Sequence, residues 1–155
     1  MRIVSSSRPR VTGREEFEEA VPLMKSLAEN LSPRGAIVEV NLVGERRMAR
    51  LNREYRGRRG AAEILTFSYI DDMKDPAGGE TPAGEIYLCW KALAAGARRR
   101  KVSRQIYALR LLAHGLCHLK GFGHADPRSE RKMEEVERSL LEGHCAEREL
   151  ERLFA

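Results

Sequence analysis

The sequence predicts an α+β fold: a single domain over residues 1–155, with a small mixed sheet of about four strands packed with about five helices. Three observations carry this. AIVEVNLVG (Ala36 to Gly44) alternates apolar and polar residues with the period of a half-buried strand, and AEILTFSYI (Ala62 to Ile70) and GEIYLCW (Gly84 to Trp90) are further β-rich runs. Several longer segments read as helices with start signals, the clearest being Asp126-Pro127, an N-cap aspartate followed by proline at the first helical position. No repeat, low-complexity tract or long linker interrupts the 155 residues, a length that suits one domain with a sizeable core.

The elements follow in order. Arg2 to Ser5 reads as a first edge strand. Thr12 or Gly13 opens a helix over REEFEEAVPLMKSLAENL, whose early acids suit the positive end of the helix dipole and whose Pro22 is a candidate kink. The strand from Ala36 leads into a short basic helix, ERRMARLNREYR, and then the strand from Ala62. DDMKDPAGGETPAG is turn-rich and expected to be a mobile loop. After the strand from Gly84 come KALAAGARRRK and a longer helix from about Ser103 to Lys120. A final helix of roughly twenty residues starts at Pro127.

An apolar fraction of 42% and a charged fraction of 33% read as a soluble globular protein. No apolar run approaches the ~20 residues of a membrane span, and MRIVSSSRPR carries no signal-peptide core. Cys89, Cys117 and Cys145 are odd in number and widely spaced, as expected for reduced thiols in a cytoplasmic protein. The net charge of +5 is uneven, with arginines crowded into Glu45 to Arg59 and Ala97 to Arg104. Two readings fit these patches: a polyanion partner, most simply nucleic acid, or solvated helix faces.

The strongest chemical signal is HGLCHLKGFGH, His114 to His124. Leu109, Leu112, Leu116 and Leu119 form an apolar stripe, whereas His114 and His118, four apart, share another face with Arg104, Tyr107 and Leu111. Gly121 ends the helix and lets His124 return as a third ligand. Three histidines with an open position make a catalytic-type zinc site, while closed structural sites use four ligands, usually including cysteine. Cys117 is a candidate fourth ligand or a small buried residue, and His144 and Cys145 are structural or exposed. Zinc lowers the pKa of bound water to about 7. A metallopeptidase would also need an acid directly after its first histidine, and Gly115 stands there. A phosphodiester needs charge neutralisation by metal and arginine instead, so the residues favour a metal-dependent phosphoesterase acting on nucleic acid.

The same residues resemble a known family. HGLCHLKGFGH is similar to the HGxLHLxGYDH signature of the YbeY-type endoribonucleases, or rRNA maturation factors. LNREYRGRRGAAEILTF (Leu51 to Phe67) resembles that family's LN-x-x-YR…TDVLSF segment, AGEIYLC (Ala83 to Cys89) its GDI-strand, and Met133 and Glu137 fall where its last helix carries similar residues. The resemblance implies a bacterial or organellar single-domain metalloprotein. One metal, zinc, would be held by His114, His118 and His124. The implied activity is single-strand-specific RNA cleavage in maturation of the 16S rRNA 3′ end and in ribosome quality control, with rRNA precursor and small ribosomal subunit as partners, and Arg56 takes the place of the arginine tied to RNA processing. Cys117, Gly123, Ala62-Glu63, Thr66 and Glu85 depart from the family pattern, and Glu63 becomes a candidate acid/base or an arginine partner. The competing readings are a non-catalytic rRNA- or ribosome-binding assembly factor with a structural metal, and a metallopeptidase.

Overall fold

The alternation of side chains along four strands decides which helices cover which face. The computed structural model describes residues 1–31, 36–69, 82–121 and 126–155. In chain order the elements are β1 (Arg2–Ser7), α1 (Arg14–Leu31), β2 (Ile37–Leu42), α2 (Glu45–Arg56), β3 (Ile64–Ser68), β4 (Pro82–Leu88), α3 (Trp90–Arg100), α4 (Arg104–Leu119), α5 (Pro127–Leu141) and α6 (Glu147–Leu153). The strands run β1-β2-β4-β3, parallel except for β3, which is antiparallel to β4. This is the small mixed α+β sheet that the sequence predicts, with β1 and β3 as its edges.

Val38, Val40 and Leu42 pair with Gly84, Ile86 and Leu88, and these with Ser68, Thr66 and Ile64. Alternation puts all nine on one face. Helix α4 lies on that face, and Leu109, Leu112, Leu116 and Leu119 are buried in the main core with residues of α1, α3, α5 and α6. The opposite face carries Leu65, Phe67 and Tyr87, which join Met48 and Leu51 of α2 in a smaller cluster. Helix α2 ends at Gly57 in the left-handed region (φ 63°), a conformation that costs glycine little.

Several boundaries move. Helix α1 runs through Pro22. Trp90 opens α3 rather than closing β4, and β4 starts at Pro82, where a proline at the first strand position forfeits no interior ladder bond. The sequence's last helix is two. Helix α5 stops at Leu141, the His144 ring contacts the Leu140 carbonyl at 3.0 Å and Ser26 Oγ at 3.1 Å, and α6 restarts after Ala146, whose N–H donates to Glu149. Among the described residues there are therefore six helices where about five were expected. Most of the turn-rich loop, residues 70–81, lies outside the described residues. Among the described residues no helix is long and apolar enough to cross a membrane.

Helix α4 is covered on more sides than one apolar stripe implies. Tyr107 and Leu111 are buried too, so the histidine face is covered between Arg104 and His114. A close approach of the helix to the sheet is made at Gly115. A Cβ there would stand 2.9 Å from Thr66 Oγ1, 3.0 Å from Ile86 Cδ1 and 3.3 Å from Ile64 Cδ1. The position where a peptidase keeps its glutamate is pressed against the sheet, so a side chain there would have to displace these neighbours. Gly115→Glu is therefore expected to lose at least about 3 kcal/mol of stability through overpacking and a buried carboxylate, and to show no peptide turnover. A urea-unfolding midpoint equal to the parent's would mean that α4 does not sit this close.

Candidate active site

The cleft is built at the β3 edge. Ile64, Thr66 and Ser68 alternate onto the α4 face of this strand, and His114 and His118 stand on α4 opposite them. The last residue of α2, Arg56, reaches round the edge from the other side of the sheet. These six residues line a cavity of about 440 Å³. The structure thus brings together Arg56, His114 and His118, three of the four site residues predicted from sequence. The fourth, His124, lies outside the described residues. Gly121, which ends the helix, has φ +92°, and its N–H bonds to the His118 carbonyl at 3.0 Å.

The two rings meet edge to face, with centroids 4.6 Å apart and Nε2 atoms 3.1 Å apart. Two nitrogens bound tetrahedrally to one zinc ion at about 2.0–2.1 Å lie about 3.4 Å apart, so the pair fits a shared ion. Behind His114 sits Glu137 of α5, only 3% exposed, with Oε1 2.6 Å from His114 Nδ1. An ionised carboxylate only accepts. It therefore assigns the ring proton to Nδ1 and leaves the Nε2 lone pair for the cleft, the arrangement in which a carboxylate orients a metal-binding histidine. Among the described residues, no group of three His, Cys, Asp or Glu side chains is placed to hold an ion.

The other candidates separate cleanly. Cys117 is fully buried in the main core, where burial above all pushes its thiol up to about 12, so it packs as a small apolar side chain. His144 ties α5 to α1, and the Cys145 thiol contacts the Leu141 carbonyl at 3.4 Å. Glu63 does not line the cleft. It accepts a 2.8 Å hydrogen bond from the Tyr107 hydroxyl, over whose ring the Arg100 guanidinium stacks at 4.8 Å. Burial first, and then this bond to Glu63, push the Tyr107 phenol up to about 12. Glu85 takes a 2.7 Å hydrogen bond from Tyr87 on the α2 face. Thr66 is the one departure from the family pattern that lines the cleft among the described residues. Arg104 leaves the histidine face altogether, with Nη2 2.6 Å from Glu16 Oε1.

Glu137 is the residue whose role the sequence did not reveal. It was visible only as a position shared with a family, because its contact with His114 spans 23 residues and two helices. Glu137→Ala is expected to weaken zinc binding about 10–100-fold. Competition against a chromophoric chelator reads this directly, and an unchanged zinc affinity would remove Glu137 from the site.

Comparison with known proteins agrees with the fold and the motifs. Residues 7–144 match the family model described as Endoribonuclease YbeY. Curated proteins of that name include one from Bordetella avium, 39% identical over 106 residues (68% of this chain, 63% of the relative). One from Cupriavidus metallidurans is 34% identical over 107 residues (69% and 52%). One from an Anaeromyxobacter species is 31% identical over 137 residues (88% and 68%). The chain thus spans between about half and two thirds of the length of these relatives. The solution structure of TM1509 from Thermotoga maritima shares the fold, with a TM-score of 0.54 over 90% of this chain and 88% of that one, at 23% identity.

Proposed function

The chain belongs to the Endoribonuclease YbeY family, and from that premise we propose that it is a zinc-dependent, single-strand-specific endoribonuclease. Its substrate in this reading is rRNA precursor on the small ribosomal subunit, with cleavage serving 16S 3′-end maturation and ribosome quality control in the cytoplasm. The observation that carries the proposal is the meeting of a guanidinium and two imidazoles in one cleft. Arg56 lines the same cavity as His114 and His118, although it comes from a helix on the other face of the sheet.

The roles follow from the chemistry of each side chain. Arg56 presents a planar fork of donors to the non-bridging oxygens of a phosphodiester and offsets the charge that builds there. Thr66 and Ser68 add hydroxyls on the cleft wall, within the same cavity. His114 and His118 would hold the ion, with His124 as the third donor that the sequence spacing supplies. When bound, zinc supplies Lewis acidity for phosphoryl transfer. Glu137 holds the His114 ring with its Nε2 toward His118. The 440 Å³ cavity opens at a sheet edge, which suits a flexible single strand better than a stiff duplex.

His114→Ala is expected to lose bound zinc and RNA cleavage together. Arg56→Ala is expected to keep its zinc and lose about a hundredfold in kcat. Elemental analysis and cleavage of a labelled single-stranded RNA, with and without chelator, read both. Cleavage by His114→Ala at the parent rate would overturn the metal-dependent mechanism, and an unaffected Arg56→Ala would remove the guanidinium from it.

A further inference from the structure

A second cationic feature lies on α2, outside the histidine cleft. Arg46, Arg50 and Arg53, spaced i, i+4 and i+7, line one side of a groove of about 520 Å³, Arg59 flanks it, and Ala49 and Gly60 complete its lining. All four guanidiniums are solvent-exposed. Among the described residues, none of the four lies within ion-pair distance of a carboxylate. Neighbouring cations are otherwise engaged: Arg47 of the same helix stacks over Tyr87 at 5.7 Å, and Lys91 of α3 takes Glu45 at 2.7 Å.

Fold stability does not account for this arrangement. Positive charge is favourable in the last turn of a helix and unfavourable in the first. The dipole therefore explains Arg53, and it works against Arg46. Like charges at i, i+4, as in Arg46 and Arg50, repel. The loop that carries Arg59 is meanwhile held in place, because the buried Asn52 side chain donates to the Gly60 carbonyl at 2.9 Å. Arg58 N–H bonds to the Asn52 carbonyl at 3.3 Å. A repulsive set of guanidiniums on a pinned frame points to an anionic ligand.

We propose that this groove binds the phosphodiester backbone of single-stranded RNA running away from the histidine cleft, which gives the protein a two-part RNA footprint. The proposal rests on the endoribonuclease reading above. Arg53 is one turn from Arg56, so the groove and the cleft share the last turn of α2. Arg46 to Arg53 spans about 10.5 Å of helix, so the guanidiniums face successive stretches of a strand laid along it. Each guanidinium can take a phosphate bidentately, and a groove admits a strand more readily than it admits a flat membrane.

The test uses the full chain, the triple variant Arg46→Ala/Arg50→Ala/Arg53→Ala and the corresponding triple Lys variant. Fluorescence anisotropy in chelator measures binding of unstructured RNAs of about 5 and about 20 nucleotides, lengths that bracket the footprint of a basic groove. Cleavage is measured separately with zinc. The Ala variant is expected to bind the longer RNA at least about tenfold more weakly, with the slope of log K against log salt reduced by about 2, from about 0.7 per lost contact. The shorter RNA should change by less than about twofold, and the Lys variant should keep most of the salt slope because it keeps the charge. If the parent cuts RNA and the Ala variant binds the longer strand with parental affinity and slope, the groove proposal fails while the enzyme reading stands. Equal losses for both lengths would also overturn it, since the arginines would then belong to the cleft. Arginine-dependent binding without cleavage by the parent would sustain the groove and overturn the enzyme reading. A parent that binds neither RNA would end both.

Discussion

The close approach of α4 to the β3–β4 edge governs the rest of this molecule. Gly115 lets the helix backbone come within one missing methyl group of Thr66, Ile86 and Ile64. That contact fixes both the height of the helix above the sheet and its rotation. With Gly115 turned into the sheet, His114 and His118 are carried round to the rim, half-exposed, where strand residues of the same face supply the opposite wall. A larger residue would lift the helix and open the cleft. An acid at this position would have to displace Thr66, Ile86 and Ile64.

Electrostatics completes what packing begins. Glu137 is a carboxylate removed from water, a placement that requires a partner. The ring it meets is His114, so the cost of burying the charge is offset by a bond that also orients the site. Arg110, on the same helix, is drawn in as well. Burial lowers its guanidinium's pKa and the field of Glu137 opposes that shift, while its side chain bonds the Leu153 carbonyl and lies over the Phe154 ring at 4.4 Å. The C-terminal residues are thereby tied to the helix that carries the histidines.

What could be read in the sequence was what is local in the chain. The period-two pattern of β2, the N-cap of α5, the glycine that ends α4 and the spacing of His114 and His118 depend on neighbours a few residues away, and each is found. Boundaries went astray where a pattern continues past a corner. The apolar run through Trp90 reads as strand to its end, and the apolar positions Leu140, Leu141, Leu150 and Leu153 are all buried although the helix breaks between them. Tertiary pairings were the least accessible. Neither the hydroxyl of Tyr107 on Glu63 nor the carboxylate of Glu137 on His114 leaves a signal in spacing, since each joins residues 44 and 23 positions apart. Arg56 was found by resemblance to a family motif, and its presence in the cleft depends on the strand order, which no local pattern encodes.

The central claim is that the imidazoles of α4 share one ion that keeps a position open for substrate. Zinc-edge X-ray absorption on the zinc-loaded full chain tests it most directly. The account predicts one zinc per chain, with histidine nitrogens at about 2.0–2.1 Å, a remaining oxygen donor and no sulfur. A sulfur shell at about 2.3 Å, which would bring Cys117 out of the core to close the site, or a zinc signal unchanged by replacing both His114 and His118, would contradict it.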